Sequence, residues 1–232
     1  MRVPRSEKSS PAGNFFFQGK IAELLGVPIG RVRFVGISTQ APLADDGALG
    51  EADVQVVLLR VDPEVEQAAE LQLLRVAGTG SMEALLPRQE MDLNCNQLDA
   101  LPDSVGKLTA LQTLNLSGNR LAALPDSFGQ LAALQTLRLG GNRLGALPDS
   151  FGQLAALQTL RFNDNQLHAL PDSFGQLAAL QILELQFNRL RALPDSFGQL
   201  AALQFLDLIG NRLRRNTVRW AVRTFRNADV RV

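Results

Sequence analysis

The stretch that decides the fold is Leu111-Gln-Thr-Leu-Asn-Leu-Ser-Gly-Asn119-Arg-Leu121-Ala-Ala-Leu124-Pro-Asp-Ser-Phe128-Gly-Gln-Leu131-Ala-Ala. Its second half recurs along the chain. The run Asp-Ser-Phe-Gly-Gln-Leu-Ala-Ala-Leu-Gln occurs four times unchanged, from Asp126, Asp149, Asp172 and Asp195, and a looser copy begins at Asp103. The period is 23 residues, and Asn96, Asn119, Asn142, Asn165, Asn188 and Asn211 all fall on it. A fixed period of this length marks an array of stacked supersecondary units. Leu114 and Leu116 alternate with polar neighbours, which predicts one short strand per unit. Strands recurring in one direction pair in parallel, and the rest of each unit is the return path. Phe128, Phe151, Phe174 and Phe197 recur on that path and are expected to stack as an inner spine. An asparagine side chain both donates and accepts, so the Asn row can satisfy backbone groups at the turn after each strand. Pro125-Asp126 and its equivalents begin a tight turn or short helix. No unit buries its apolar face alone; its neighbours supply the core.

These residues resemble the leucine-rich repeat family, most closely its 23-residue intracellular type with Leu-Pro-x-x-Phe/Leu-Gly-x-Leu on the outer side, as in Ras-group and related plant proteins. The resemblance covers residues 88–215 as six units. It implies an α/β fold, a leucine-rich-repeat solenoid with a parallel sheet on the concave face. It also implies protein–protein interaction, often in signalling or immune recognition. Arg88 stands where Leu111 stands one unit later, which marks the edge of the array. After Asn211 the pattern stops. Asn216 is expected to cap a helix over 217–226, with Val218, Ala221, Val222 and Phe225 on one face and Arg219, Arg223 and Arg226 along the other. Residues 216–232 thus read as a basic C-terminal capping helix.

The first 61 residues lack the repeat. Lys20-Ile-Ala-Glu-Leu-Leu-Gly26, Arg33-Phe-Val35, Leu43-Ala-Asp-Asp-Gly47-Ala-Leu49 and Val56-Val-Leu-Leu-Arg60 follow the order of helix, strand, turn and last strand. That order resembles a divergent ubiquitin-like module, a small α+β fold over residues 1–61. Val35 and Leu58 match that family's apolar recognition patch, but no Gly-Gly follows Arg60, so conjugation is not implied. Residues 62–87 read as a helix and linker capping the solenoid. Asp62-Pro63-Glu64 gives the helix start and Val76 its end, and the Gly-rich run 77–81 forms the linker.

Composition narrows the function classes. Of 232 residues 46% are hydrophobic and 20% charged, with 23 basic and 23 acidic side chains, which argues against disorder and against a uniformly basic nucleic-acid binder. The zero net charge is nevertheless a cancellation, because residues 212–232 hold seven Arg and one Asp. An anionic surface at Arg219, Arg223 and Arg226 therefore stays open as a partner. The single cysteine, Cys95, makes no internal disulfide, and no apolar run has the length of a membrane span, so a cytoplasmic protein is expected. Catalysis is not signalled. His168 and Cys95 lie three units apart, about 15 Å at ordinary strand spacing, too far for a nucleophile and its base. No motif calls for a metal, a cofactor or a small-molecule substrate.

Variation between near-identical units is the remaining signal. One strand column reads Asp92, Asn115, Arg138, Arg161, Glu184, Asp207, and its neighbour reads Glu90, Thr113, Thr136, Thr159, Ile182, Phe205. Two further columns end in Gln186, Ile209 and in Phe187, Gly210. A concave face with Arg138 and Arg161 at its centre and Ile182, Phe187, Phe205 and Ile209 beyond them has the make-up of an interface, with Glu184 and Asp207 alongside. The other reading is drift at positions that packing does not constrain. Three readings of function remain: an adaptor holding a protein partner on this face, a ubiquitin-pathway protein acting through the N-terminal module, and attachment to an anionic membrane or nucleic acid through the Arg-rich end.

Overall fold

A computed structural model describes residues 63–232. The ubiquitin-like reading of residues 1–61 lies outside them. The first helix, α1, spans Pro63–Val76. Proline at its first position fits the fixed φ and missing N–H of a helix start. The helix ends by a left-handed glycine. Gly78 has φ +66°, its N–H reaches the carbonyl of Arg75, and the Thr79 N–H reaches that of Leu74 at 3.0 Å. The Gly-rich run read as a linker is thus the closing turn of α1. Leu73 and Leu74 enter the core, while Glu66 and Glu70 accept from the Asp103 N–H and the Ser104 hydroxyl at the first return path.

Next comes a turn the repeat pattern did not predict. Met82 and Leu85 are buried and stand one period before Val105 and Leu108. A degenerate unit therefore begins the core upstream of residue 88. On its outer side, the carboxyl of Glu83 is held below the usual range by hydrogen bonds from its own backbone N–H and the Ser81 hydroxyl.

Seven strands follow: β1 (Glu90–Asp92), β2 (Thr113–Asn115), β3 (Thr136–Arg138), β4 (Thr159–Arg161), β5 (Ile182–Glu184), β6 (Phe205–Asp207) and β7 (Asp229–Arg231). They pair in sequence order in one parallel sheet. Each strand is only three residues long because only the central Leu side chain, such as Leu114 or Leu137, turns into the core. Short 3-10 helices, Asp126–Gln130 and its four equivalents, form the return path, each entered through an extended proline such as Pro125.

Two ladders tie the units together. Phe128, Phe151, Phe174 and Phe197 are fully buried, with successive ring centroids 6.4, 6.1 and 5.9 Å apart and nearly parallel planes. Beside the first three rings a glycine lets the next unit approach: a Cβ on Gly129 would fall 2.2 Å from the Ser150 carbonyl oxygen. The asparagine ladder is as regular. Asn142 donates to the carbonyls of Leu116 (2.9 Å) and Leu139 (3.0 Å), and its Oδ1 accepts from the Leu121 N–H (3.1 Å). It thereby satisfies backbone groups of two units at once.

The C-terminal end departs from the sequence reading in three ways. Helix α2 spans Arg215–Thr224 and is entered from Arg214, so Asn216 lies inside it rather than capping it. Ala221 and Phe225 are buried, but Val222 is 45% exposed, because its direction lies beyond the contact stripe. The chain then adds β7 to the sheet with an offset of 24 instead of 23, pairing Asp229 with Phe205. One inserted residue hid this strand from the periodicity. Phe225 meets Phe197 edge to face at 5.7 Å and so terminates the aromatic spine.

Candidate protein-interaction face

Parallel register places equivalent residues of successive units side by side, about 4.8 Å apart. One row reads Asp92, Asn115, Arg138, Arg161, Glu184, Asp207 and, from β7, Arg231. Arg138 is exposed in mid-row and makes no ion pair with any described residue. Arg161 pairs with Glu184, Nε to Oε1 at 3.3 Å. Such a half-exposed pair adds little to stability, about 0–1 kcal/mol, but fixes both heads on the sheet. Asp207 is buried, and its Oδ1 accepts the Ile209 N–H at 3.0 Å. Its charge is therefore committed to the turn rather than offered to a partner.

The second row carries the apolar residues. Ile182 is half-buried on β5. Phe205, expected as an exposed anchor, is also half-buried, because the Arg231 guanidinium sits 4.9 Å from its ring centroid. Arg231 in turn pairs with Asp229 at 3.4 Å. Sequence reasoning missed Arg231 altogether, since its strand fell outside the 23-residue frame.

Two exposed apolar side chains lie together at the rim of the sheet. Phe187 is 57% exposed and Ile209 42%, and they are backbone neighbours, the Phe187 N–H donating to the Ile209 carbonyl at 2.8 Å. Phe187 occupies a column that the sequence offered as freely variable. It is not free. Gly118, Gly141 and Gly210 in that column have φ of +68°, +68° and +71°, and Cys95, Asp164 and Phe187 are held at +55°, +56° and +57°. A left-handed backbone favours glycine and tolerates aspartate, but costs a bulky side chain about 1–2 kcal/mol. Phe187 is thus a strained, solvent-facing aromatic in a position where three of its five sister units use glycine.

His168 and Cys95 are both exposed and sit in different units, so no nucleophile–base pair forms. Among the described residues no group of three or more His, Cys, Asp or Glu is placed to hold a metal ion, and no helix is long and apolar enough to cross a membrane.

A family model described as a leucine-rich repeat region matches residues 77–162 and 134–220, together more than half of the chain. The chain belongs to the leucine-rich repeat family. Members of this family mediate protein–protein interaction as binding scaffolds. Among solved structures, a leucine-rich repeat protein of Leptospira interrogans is 37% identical with a TM-score of 0.60, over 62% of this chain and 36% of that one. An internalin from Listeria monocytogenes is 20% identical with a TM-score of 0.57, over 63% of this chain and 41% of its own, a likeness of fold. The chain spans less than half the length of either. No curated protein sequence matches it.

Proposed function

We propose that this leucine-rich repeat chain is a cytoplasmic adaptor that holds a protein partner on its concave sheet and C-terminal rim. Phe187 and Ile209 serve as the apolar anchor, and Arg138, with the Arg161–Glu184 pair, sets polar specificity. The single observation that carries this is Phe187. A left-handed phenylalanine costs stability where glycine would relieve it, and backbone strain of this kind collects at binding sites. Its ring is also exposed beside Ile209, so burial against a partner returns what the fold gives up. Ile182, Phe205, Asp207 and Arg231 form the floor behind the anchor. The ubiquitin-like reading of residues 1–61 belongs to the same proposal, as a second docking module of the adaptor.

The test is comparative capture with the full chain. The wild type should retain a partner that Phe187→Gly and Arg138→Glu each lose by at least tenfold, with circular dichroism unchanged. Equal recovery of every captured protein by all three chains would overturn the reading.

A further inference from the structure

The charge of the solenoid is sorted along its axis. Residues 63–103 carry eight acidic and two basic side chains, residues 104–211 seven of each, and residues 212–232 one acidic and seven basic. The net charges are −6, zero and +6. Six strand spacings of about 4.8 Å put the two ends roughly 30 Å apart. The exposed large apolar side chains follow the same division. Among the described residues, apart from Phe187 and Ile209, they lie in α1 and the turn after it (as Leu71 and Leu86) or in α2 and the residues after it (Trp220, Val222, Val232). The terminal units of a solenoid ordinarily carry a polar outer cap. Here each end instead combines apolar side chains with charge of a single sign. On the basic end, Arg215, Arg219, Arg223 and Arg226 occupy one stripe of α2 and its continuation, with Trp220 and Val222 flanking it.

From this we infer that the two ends are complementary faces of one interface, and that the basic end of one copy docks on the acidic end of a second copy. Equal and opposite charge on the same chain, each beside exposed apolar residues, is what head-to-tail stacking requires. The sheet geometry agrees: among the described residues β1 and β7 each have a neighbour on one side only, and both run parallel to the rest. Such a contact joins two different faces, so it does not close at a dimer. It leaves the Phe187 rim and the concave sheet free.

The experiment is sedimentation velocity on the full chain at about 50 mM and about 500 mM salt, because ionic screening separates the two regimes. At low salt the weight-average sedimentation coefficient should rise with protein concentration beyond the monomer value, and at high salt return to it. Arg219→Glu with Arg223→Glu in one chain, and Glu83→Arg with Asp99→Arg in another, all at exposed positions outside the concave strands, should each abolish association alone. Mixing the two variants should restore it, since acidic and basic ends again meet. Phe187→Gly should associate as the wild type does, which separates this interface from the partner face. A monomer at every concentration in low salt would overturn the inference, as would association that either charge-reversed chain retains alone. Binding of phosphatidylserine vesicles or duplex DNA by a chain that stays monomeric would do the same, assigning the basic end to that ligand instead.

Discussion

The ring of Phe187 lies directly over the backbone of Gly210. A Cβ placed on Gly210 would fall 2.6 Å from Phe187 Cδ1, and Gly210 itself has φ +71°. One unit thus holds a bulky side chain in a left-handed turn only because the next unit has none at the same position. The rim is a two-residue device.

Gly210→Ala should therefore destabilise the chain by about 2–3 kcal/mol, through the left-handed backbone and the ring clash together. In the double variant with Phe187→Gly the clash disappears and only the backbone cost remains. Chemical denaturation of the two single variants and the double should show this as a clear failure of additivity. Additive effects would mean that the ring does not rest on Gly210.

Phe187→Gly alone should leave stability within about 1 kcal/mol of the wild type, even though it removes the largest side chain on the rim. Relief of the left-handed strain, about 1–2 kcal/mol, is partly offset by the greater freedom of glycine in the unfolded chain and by lost packing on Gly210. A fall in stability of about 3 kcal/mol would show the ring to be a core element rather than an exposed one.

Asn142→Ala should cost about 2–3 kcal/mol. The change leaves the Leu116 and Leu139 carbonyls and the Leu121 N–H without the side chain that pairs them in a buried setting. Asn96→Ala should cost far less, because Asn96 is exposed at the start of the ladder. Parallel thermal unfolding of the two variants checks the contrast.

Phe225→Ala should loosen the C-terminal cap before the rest of the solenoid. Phe225 is buried against Phe197 and lies 6.4 Å from Trp220, edge to face. Trp220 is the only tryptophan in the chain, so its fluorescence reports on α2 alone while far-ultraviolet circular dichroism reports on the array. In the variant the fluorescence transition should precede the dichroism transition, as terminal units of a repeat array unfold semi-independently. Coincident transitions would mean that the cap and array unfold as one.

These contrasts also show where the sequence spoke clearly. The period announced the parallel sheet, the phenylalanine spine and the asparagine ladder, because each depends on a residue recurring at one spacing and packing against its own copy. What broke the spacing stayed hidden. Strand β7 enters at an offset of 24, so Arg231 and its contact with Phe205 were invisible. Met82 and Leu85 keep the register but not the consensus, so the array seemed to begin at residue 88. Burial of Asp207 and the left-handed turn at Phe187 are backbone facts. The glycines at positions 118, 141 and 210 carried the second signal, since a column that is half glycine marks a conformation more than a surface.

The most direct test of the proposed partner face is photo-cross-linking. Phe187 is replaced by p-benzoylphenylalanine in the full chain, with the same replacement at the exposed return-path residue Gln130 as control. Both chains are irradiated in cells, and adducts are identified by mass spectrometry. The structure predicts one dominant protein adduct at position 187, absent from position 130 and competed away by excess wild-type chain but not by excess Arg138→Glu chain. Adducts of equal yield at both positions, or none at position 187, would contradict it.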